Sequence, residues 1–328
     1  MIELANYGIM LWGNVNGNAC EAIMGYNESG KSNLSGASYK IKGWNNPHLI
    51  AYMESHDEER MMYKAQKYGN VNGTYDIKNL PIALQRAGLC ATVFFAIPGP
   101  KMIWQFGELG YDYSINACPT GSENESCRTS NKAIRWDYLQ DNYRKNLYWH
   151  YAEILQLRQL YDVFHTDDFS TSLNGEVKNI VLRSPQMNMV VVGNFGITAK
   201  EATLPLPTQG IWYEYFSQTS SQSADLQTVT LNAGEYRIYT DVKITRLDLP
   251  TAAPLVPNEP VAQLRVSPNP VSNVLNVMGT NGNELCRLYN SVGQLLIETK
   301  QTSINVSGLP SGIYFLQVGK STVKVVKQ

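Results

Sequence analysis

Hydrophobic and polar positions follow different periods in the two halves of the chain. In the first half, the continuous apolar segment at 49–53 predicts a strand buried on both faces, and KMIWQF at 101–106 predicts another. Apolar residues spaced three and four apart predict a helix over 79–95. A second helix is predicted between Asp141, its cap, and Tyr161. This alternation indicates an α/β fold with parallel strands.

From about Val177 the pattern changes to short alternating strands separated by Gly, Asn, Ser and Pro, which predicts an antiparallel β-sandwich. The segment 248–260 contains four prolines and little to bury, so we expect a stiff linker. After it, alternating segments joined by tight-turn sequences predict a third, small β-sandwich. The predicted divisions are 1–165, 166–246, 247–262 and 263–328.

Composition narrows the classes of function. The 328 residues carry a net charge of -1, and no basic run is interleaved with aromatic residues, so no nucleic-acid partner is expected. The longest apolar stretch, 89–104, is interrupted by Pro98, Gly99 and Pro100, so no transmembrane segment is predicted. The sequence from Met1 does not begin with the charged region and cleavage site of a signal peptide.

The five cysteines are too few for a disulfide scaffold and show no metal-ligand spacing, so no metal site is predicted. Calcium is not predicted either, because the Asp and Asn residues lack a compact oxygen-ligand spacing. Cys118 and Cys127 share one polar loop. A local disulfide and a reduced pair both stay open for them.

His56 and Asp57 follow directly after the predicted strand 49–53. Loops at the carboxyl ends of parallel strands meet around one cavity, so the position suits a functional site. The pair also fits a second interpretation, in which the histidine bonds to a neighbour while Glu58, Glu59 and Arg60 cap and solvate the next helix. The dipeptide alone does not decide between them.

Longer segments carry a resemblance to the α-amylase family, glycoside hydrolase family 13. YMESHDEERMMYK at 52–64 resembles its fourth conserved region, in which a barrel strand ends in His-Asp. IPGPKMIWQFGELGYD at 97–112 resembles the next segment, where the last barrel strand ends in a Gly-Glu loop. KAIRWDYL at 132–139 and the helix after it resemble the end of that barrel. The resemblance implies an incomplete (β/α)8 TIM barrel, followed to about residue 245 by the β-sandwich domain C of these enzymes.

The resemblance also implies roles for individual residues in binding and cleaving α-1,4-glucans such as starch or glycogen. Asp57 matches the carboxylate that stabilises the transition state through the sugar hydroxyls, and His56 matches the histidine beside it that binds the same sugar. Tyr111 is a candidate for stacking on a sugar ring, with core packing as the alternative. Core packing is the prediction for Trp104 within its strand. No cofactor is implied; calcium occurs in the family as a structural ion.

Retaining hydrolysis also needs a nucleophile and an acid, which the family carries on two earlier strands. Neither motif is found before His56. Glu3 is the nearest candidate, but residues 2–14 predict the helix after a missing strand. About 165 residues precede the sandwich, against about 250 for a full barrel. We therefore expect the C-terminal portion of a glycosidase, inactive alone, whose start at Met1 reflects a truncated gene, a misplaced start or a fragment; the alternative is a non-catalytic glycan-binding surface protein.

The tail carries a second resemblance. VSPNPVSNVLNV, LYNSVGQLL, INVSGLPSGIYFLQV and KVVKQ occur in this order over about 264–328 and resemble the C-terminal sorting domain of the type IX (Por) secretion system. This implies a bacterium of the Bacteroidetes group, the secretion machinery as a partner, and a secreted or cell-surface location reached through the periplasm. The alternative is an accessory β-sandwich such as a starch-binding module, although few aromatic residues in the tail could stack on sugars.

Overall fold

The computed structural model describes residues 1–247, 249, 264–278, 284–319 and 321–328. The chain divides into two compact units, 1–256 and 257–328. The linker predicted at 247–262 lies, apart from residues 247 and 249, outside the described residues.

The first part of unit 1 combines helices with short strands. The strands β1, β2 and β5 form one parallel sheet in the order β1-β2-β5, and β3 pairs with β4 as an antiparallel hairpin. Within the described residues this parallel sheet does not close into a barrel. The helices are α1 (Ile2–Tyr7), α2 (Asn16–Met24), α3 (Met61–Tyr68), α4 (Leu80–Ala96) and α5 (Asn142–Leu160). The strands are β1 (Leu11–Asn14), β2 (Leu49–Tyr52), β3 (Val71–Asn72), β4 (Tyr75–Asp76) and β5 (Lys101–Met102).

The two helices predicted from apolar spacing are confirmed as α4 and α5. The α4 helix is buried over most of its length, with a proline in its first turn, where the missing N–H costs nothing. The Asp141 side chain accepts a hydrogen bond from the backbone N–H of Arg144 and caps α5. The buried strand predicted at 49–53 is confirmed as β2.

Two predictions for this part were wrong. Residues 2–14 do not form one helix, because α1 ends at Gly8 in a left-handed conformation and Leu11–Asn14 then pairs in parallel with β2. The predicted strand 101–106 ends at Met102, and the chain turns before Phe106, whose φ is 60°. Trp104 is therefore half-buried beyond the strand end, not inside a strand.

The second part of unit 1 confirms the predicted antiparallel strands. Six of them form a sheet in the order β11-β10-β13-β8-β7-β6, and β12 pairs with β9 in a second sheet. A shared apolar core with Val190, Trp212 and Leu231 joins the two sheets into a sandwich. The strands are β6 (Phe169–Ser172), β7 (Val177–Arg183), β8 (Asn188–Asn194), β9 (Lys200–Thr203), β10 (Ile211–Glu214), β11 (Ser220–Gln222), β12 (Thr228–Leu231) and β13 (Tyr236–Thr240).

Arg86 of α4 joins the helical part to the sandwich. Its buried guanidinium donates to the carbonyls of Ala22 and Ile23 at the end of α2, at 2.7 and 2.6 Å. It also donates to the carbonyls of Phe195 and Gly196 after β8, at 2.7 and 3.0 Å. Because four backbone acceptors depend on one side chain, the helical part and the sandwich have one connected interior.

Unit 2 is a small antiparallel β-sandwich, as the tail sequence predicted. Its sheets have the orders β14-β15-β18 and β17-β16-β19-β20. A separate apolar core with Leu275, Leu288 and Leu316 lies inside it. The strands are β14 (Arg265–Ser267), β15 (Val274–Met278), β16 (Cys286–Asn290), β17 (Leu295–Thr299), β18 (Ser303–Asn305), β19 (Gly312–Val318) and β20 (Ser321–Lys327).

Candidate active site

His56 and Asp57 lie just beyond the carboxyl end of β2, the middle strand of the parallel sheet. Their side chains are 70% and 69% exposed, and His56 Nε2 lies 3.2 Å from Asp57 Oδ2. The His56 ring packs against the Trp104 ring with centroids 5.8 Å apart, so residues beyond two neighbouring strands meet here. The arrangement presents a ring nitrogen and a carboxylate to solvent beside an aromatic side chain, which suits binding of a hydroxyl-rich ligand.

Glu58 fixes the start of this loop to the strand β1. Its carboxylate accepts a hydrogen bond from the Asn14 side chain at 2.6 Å, and another from the Ser55 hydroxyl. The Ser55 hydroxyl also accepts a hydrogen bond from the backbone N–H of Asp57 at 3.2 Å. Glu58 is therefore a positioning residue for the pair. The first N–H of α3 is bonded by Glu54, and not by Glu58 as the helix-cap interpretation of the sequence had it.

Arg60, which is buried, and Glu54, which is half-buried, form the floor of the site. Arg60 is 2% exposed, donates to the Ser55 carbonyl, and its guanidinium lies 5.9 Å from the centre of the Trp104 ring. Glu54 accepts the first N–H of α3 from Met61 at 2.7 Å. Burial raises the pKa of Glu54, while the nearby charge of Arg60 acts in the opposite direction. Arg60 therefore stabilises the loop from inside.

The loop after β5 passes close to Glu54 at Gly107. A Cβ on Gly107 would lie 2.8 Å from Glu54 Oε2, so a side chain there would displace the end of the Glu54 side chain. The next residue, Glu108, has a pKa raised by burial, and its charge adds to the raised pKa of Glu54. Glu54, two residues before His56, and Glu108 thus both have a raised pKa.

Glu59 connects the same loop to the segment after Glu108. It accepts hydrogen bonds from the Ser114 hydroxyl at 2.8 Å and from the backbone N–H of Ile115 at 2.7 Å. The Arg128 guanidinium donates to the Asp57 carbonyl. One sequence interpretation had Glu59 cap and solvate the next helix; its partners lie more than fifty positions away and leave no local pattern.

Cys118 and Cys127, the pair that the sequence left open, form a disulfide. The bond closes the loop that contains Glu123, whose carboxylate accepts a hydrogen bond from the Tyr63 hydroxyl of α3 at 2.7 Å. The closed loop is therefore attached to the helix that follows His56 and Asp57.

Tyr111, the predicted stacking residue, is 1% exposed. Its ring stacks on Phe106 and Tyr113, and its hydroxyl donates to the Ala133 carbonyl at 2.7 Å. Both ring faces have protein neighbours here, and its role in sugar binding stays a prediction. Trp12 on β1 is exposed instead, with its ring edge-on to Tyr52 at 5.9 Å.

A pocket of about 650 Å³ next to the pair is lined by Asp57, Asn16, Tyr63 and Arg128, among others. Within the part of the chain that the structure describes, no group of three or more His, Cys, Asp or Glu side chains could hold a metal ion. None of the described helices is long and apolar enough to cross a membrane.

Comparison with known protein families gives one match. Residues 265–328 match the secretion system C-terminal sorting domain. The match indicates that the protein is exported by the type IX system to the cell surface or the medium. A search of curated protein sequences finds no significant match.

Two solved structures of an α-amylase-family enzyme share the fold of about 70% of this chain. AmyP in complex with maltose aligns with a TM-score of 0.53 at 12% identity, over 72% of this chain and 49% of that one. An AmyP variant in complex with maltotriose aligns at 0.53 and 11% identity, over 68% and 48%. The α-amylase of Geobacillus thermoleovorans, complexed with acarbose, aligns at 0.49 and 15% identity, over 69% and 46%. The likeness is one of fold, and this chain spans about half the length of these structures.

Proposed function

We propose that this chain is the C-terminal portion of an exported glycoside hydrolase that acts on α-1,4-glucans by a retaining mechanism. In this proposal residues 1–165 are the last part of the barrel, 166–246 are domain C, 247–262 are a linker, and 263–328 are the sorting domain. The observation that carries it is the exposed His56–Asp57 pair at the carboxyl end of the middle parallel strand. The shared fold with AmyP supports it.

In the proposed mechanism Asp57 accepts hydrogen bonds from the sugar hydroxyls beside the cleaved bond. These bonds tighten as positive charge develops on the ring, because the transition state resembles an oxocarbenium ion. His56, 3.2 Å from the carboxylate, donates to the same sugar. Trp104 forms the wall behind His56. The supporting bonds of Glu58 and Arg60 favour a preorganised loop, which lowers the cost of binding.

We further propose that the nucleophile and the general acid come from sequence outside this chain. Retaining cleavage needs two carboxyl groups about 5 to 5.5 Å apart on the two sides of the bond. Near Asp57, Glu58 and Glu59 are occupied by hydrogen bonds to Asn14, Ser55 and the 114–115 segment. The proposal therefore predicts binding without cleavage for this chain alone.

Two assays on the purified full chain test the proposal. The wild-type chain should bind maltotriose, and His56→Ala and Asp57→Ala should each weaken that binding. The wild-type chain should release no more reducing sugar from starch than the Asp57→Ala variant does. Hydrolysis that depends on Asp57 would contradict the incomplete active site, and binding unchanged in both variants would contradict the sugar-binding role.

A non-catalytic glycan-binding surface protein is the second candidate. The observation that favours it is the continuous core of unit 1, which includes β2, α4 and the sandwich within this one chain. A monomeric, cooperatively folding chain that binds maltotriose would favour this candidate. Aggregation would instead favour the first proposal, in which the chain is the C-terminal portion of an enzyme. A parallel sheet with free edges exposes unpaired backbone groups, and these promote aggregation.

A further inference from the structure

Residues 118–127, which we call the disulfide loop, reach the candidate site through the residue that follows them. Arg128 comes directly after Cys127, and its guanidinium donates to the backbone carbonyl of Asp57. Arg128 and Asp57 both line the pocket beside the exposed pair. Because this bond restrains the backbone that orients the Asp57 carboxylate, it helps to preorganise the group that is proposed to bind sugar.

The disulfide connects Arg128 to a second point of attachment at the site. Glu59 accepts hydrogen bonds from the 114–115 segment, at 2.8 and 2.7 Å, so the chain just before Cys118 is attached to the loop that follows β2. The disulfide extends this attachment covalently from Cys118 to Cys127, and therefore to the backbone of Arg128. Both ends of the disulfide loop are thus fixed to the same loop of the site.

The noncovalent bridge between the two ends of the disulfide loop is weaker. The Lys132 ammonium donates to the carbonyls of Ala117 and Cys127 at 3.0 and 2.7 Å. Its flexible four-carbon stem restrains the two ends less than a covalent bond does. Arg128 is exposed, so water competes for its donors once its backbone is free to move. Opening the disulfide should therefore loosen the bond from Arg128 to Asp57.

The oxidation state of the pair depends on the compartment. The sorting domain at 265–328 indicates export, which takes the chain from a reducing cytoplasm to an oxidising environment. Cys118 and Cys127 are both partly exposed, so a redox partner can reach them. Their two thiols give two electrons and two protons to a disulfide-bearing oxidant, which leaves as a dithiol. The remaining cysteines are free and buried: Cys20, Cys90 and Cys286.

We propose that the Cys118–Cys127 disulfide is an oxidation-dependent positioning device for Asp57, which acts through Arg128. The oxidised chain holds the Asp57 carboxylate in its sugar-binding arrangement, and the reduced chain binds sugar more weakly. The inference rests on the proposed function at His56 and Asp57. It adds that the sugar-binding site is completed only after the chain has left the cytoplasm. Arg128 is a positioning residue, because its bond goes to a backbone carbonyl.

Calorimetric titration of the full chain with maltotriose, before and after reduction by a phosphine, tests the device. Reduction should raise the Kd about fivefold, the effect of weakening one exposed, charge-assisted hydrogen bond. The double variant Cys118→Ser, Cys127→Ser should raise the Kd to the same extent, and the phosphine should not change it further. A thiol reagent added to the folded chain should label this pair only after reduction, because the other cysteines are buried.

Arg128 variants separate positioning from a merely structural role. In the oxidised chain Arg128→Gln should raise the Kd for maltotriose about fivefold. Reducing this variant should then change its Kd less than about twofold, because the disulfide acts through the bond that the variant lacks. Arg128→Lys keeps a cationic donor and should restore part of the lost affinity. Arg183→Gln is the matched control, because Arg183 forms an exposed ion pair with Asp168 in the sandwich.

The outcomes separate this inference from the proposed function. If maltotriose binding depends on Asp57 but neither reduction nor Arg128→Gln changes the Kd, the device is overturned and the proposed function stands. A stability loss in urea without a change in Kd overturns it in the same way. Equal weakening by reduction in wild type and in Arg128→Gln overturns the role of Arg128. If the oxidised wild-type chain does not bind maltotriose, both proposals fall.

Circular dichroism on each variant and on the reduced chain shows that the fold is retained. If the serine double variant does not fold, the oxidised Arg128→Gln chain still decides the question, because its disulfide is intact.

Discussion

The buried histidine of α5 gives a pH dependence that can be worked out from the structure. His150 is 5% exposed and lies 2.7 Å from the Thr92 hydroxyl and 3.2 Å from the Gly88 carbonyl, both on α4. The rings of Phe216 and Tyr236, from the sandwich, lie 5.7 and 5.2 Å from the imidazole. Burial lowers the pKa of His150 from 6.5 to about 4, and the charge of Glu153 opposes this effect only in part.

The sign of the effect follows from proton binding. Between pH 6.5 and 4 the unfolded chain binds a proton at His150 that the folded chain excludes. The contribution of the neutral imidazole to stability is therefore complete above pH 6.5 and is lost as the pH falls to about 4. A shift of this size corresponds to roughly 3 kcal/mol of unfolding free energy, lost at about 1.4 kcal/mol per pH unit.

Urea unfolding of the full chain at several pH values measures this loss. His150→Gln removes the titration, so the free-energy difference between wild type and variant should shrink by roughly 2 to 3 kcal/mol between pH 6.5 and 4.5. Taking the difference cancels the titration of the carboxylates common to both proteins. His165→Gln is the control, because His165 is exposed. A difference that stays constant with pH would refute the buried, neutral state of His150.

Three further changes probe the framework of the site, each by chemical denaturation. Arg86→Met leaves buried carbonyls of α2 and of the loop after β8 without a donor, so it should lower the free energy of unfolding by roughly 3 kcal/mol or more. A loss below about 1 kcal/mol would contradict the hydrogen bonds assigned to Arg86. Reducing the Cys118–Cys127 bond should cost roughly 2 to 3 kcal/mol, and no change would show that the closed loop does not contribute. Asp141→Ala removes the cap of α5 and should cost about 1 kcal/mol, whereas Asp137→Ala, outside that cap, should spare the helix.

The sequence predicted the elements whose pattern is long or strongly periodic. The helices α4 and α5 and the paired strands β7 and β8 extend over seven or more residues with apolar positions at a regular spacing. The strand β1 was missed because it has four residues, one of them Gly13, and its Trp12 is exposed. The length of the strand β5 was overestimated, because only two of the six residues at 101–106 pair with β2. Short parallel strands depend on their neighbours more than on their own sequence.

The residues of the candidate site were also predicted only in part. His56 and Asp57 were found because they follow a buried strand and belong to a longer resemblance. The supporting roles of Glu58 and Glu59 were not found, because their partners Asn14 and Ser114 are 44 and 55 positions away. The position of Trp104 beyond the strand end depends on the turn before Phe106 and could not be read from periodicity.

A crystal structure of the full chain soaked with maltotriose tests the central claim most directly. The account predicts a sugar whose hydroxyls lie within hydrogen-bond distance of the Asp57 carboxylate and the His56 ring, beside Trp104. Soaked crystals of Asp57→Ala should show no sugar there at the same concentration. Sugar bound only at another surface, or no sugar at a concentration that saturates binding in solution, would contradict the account.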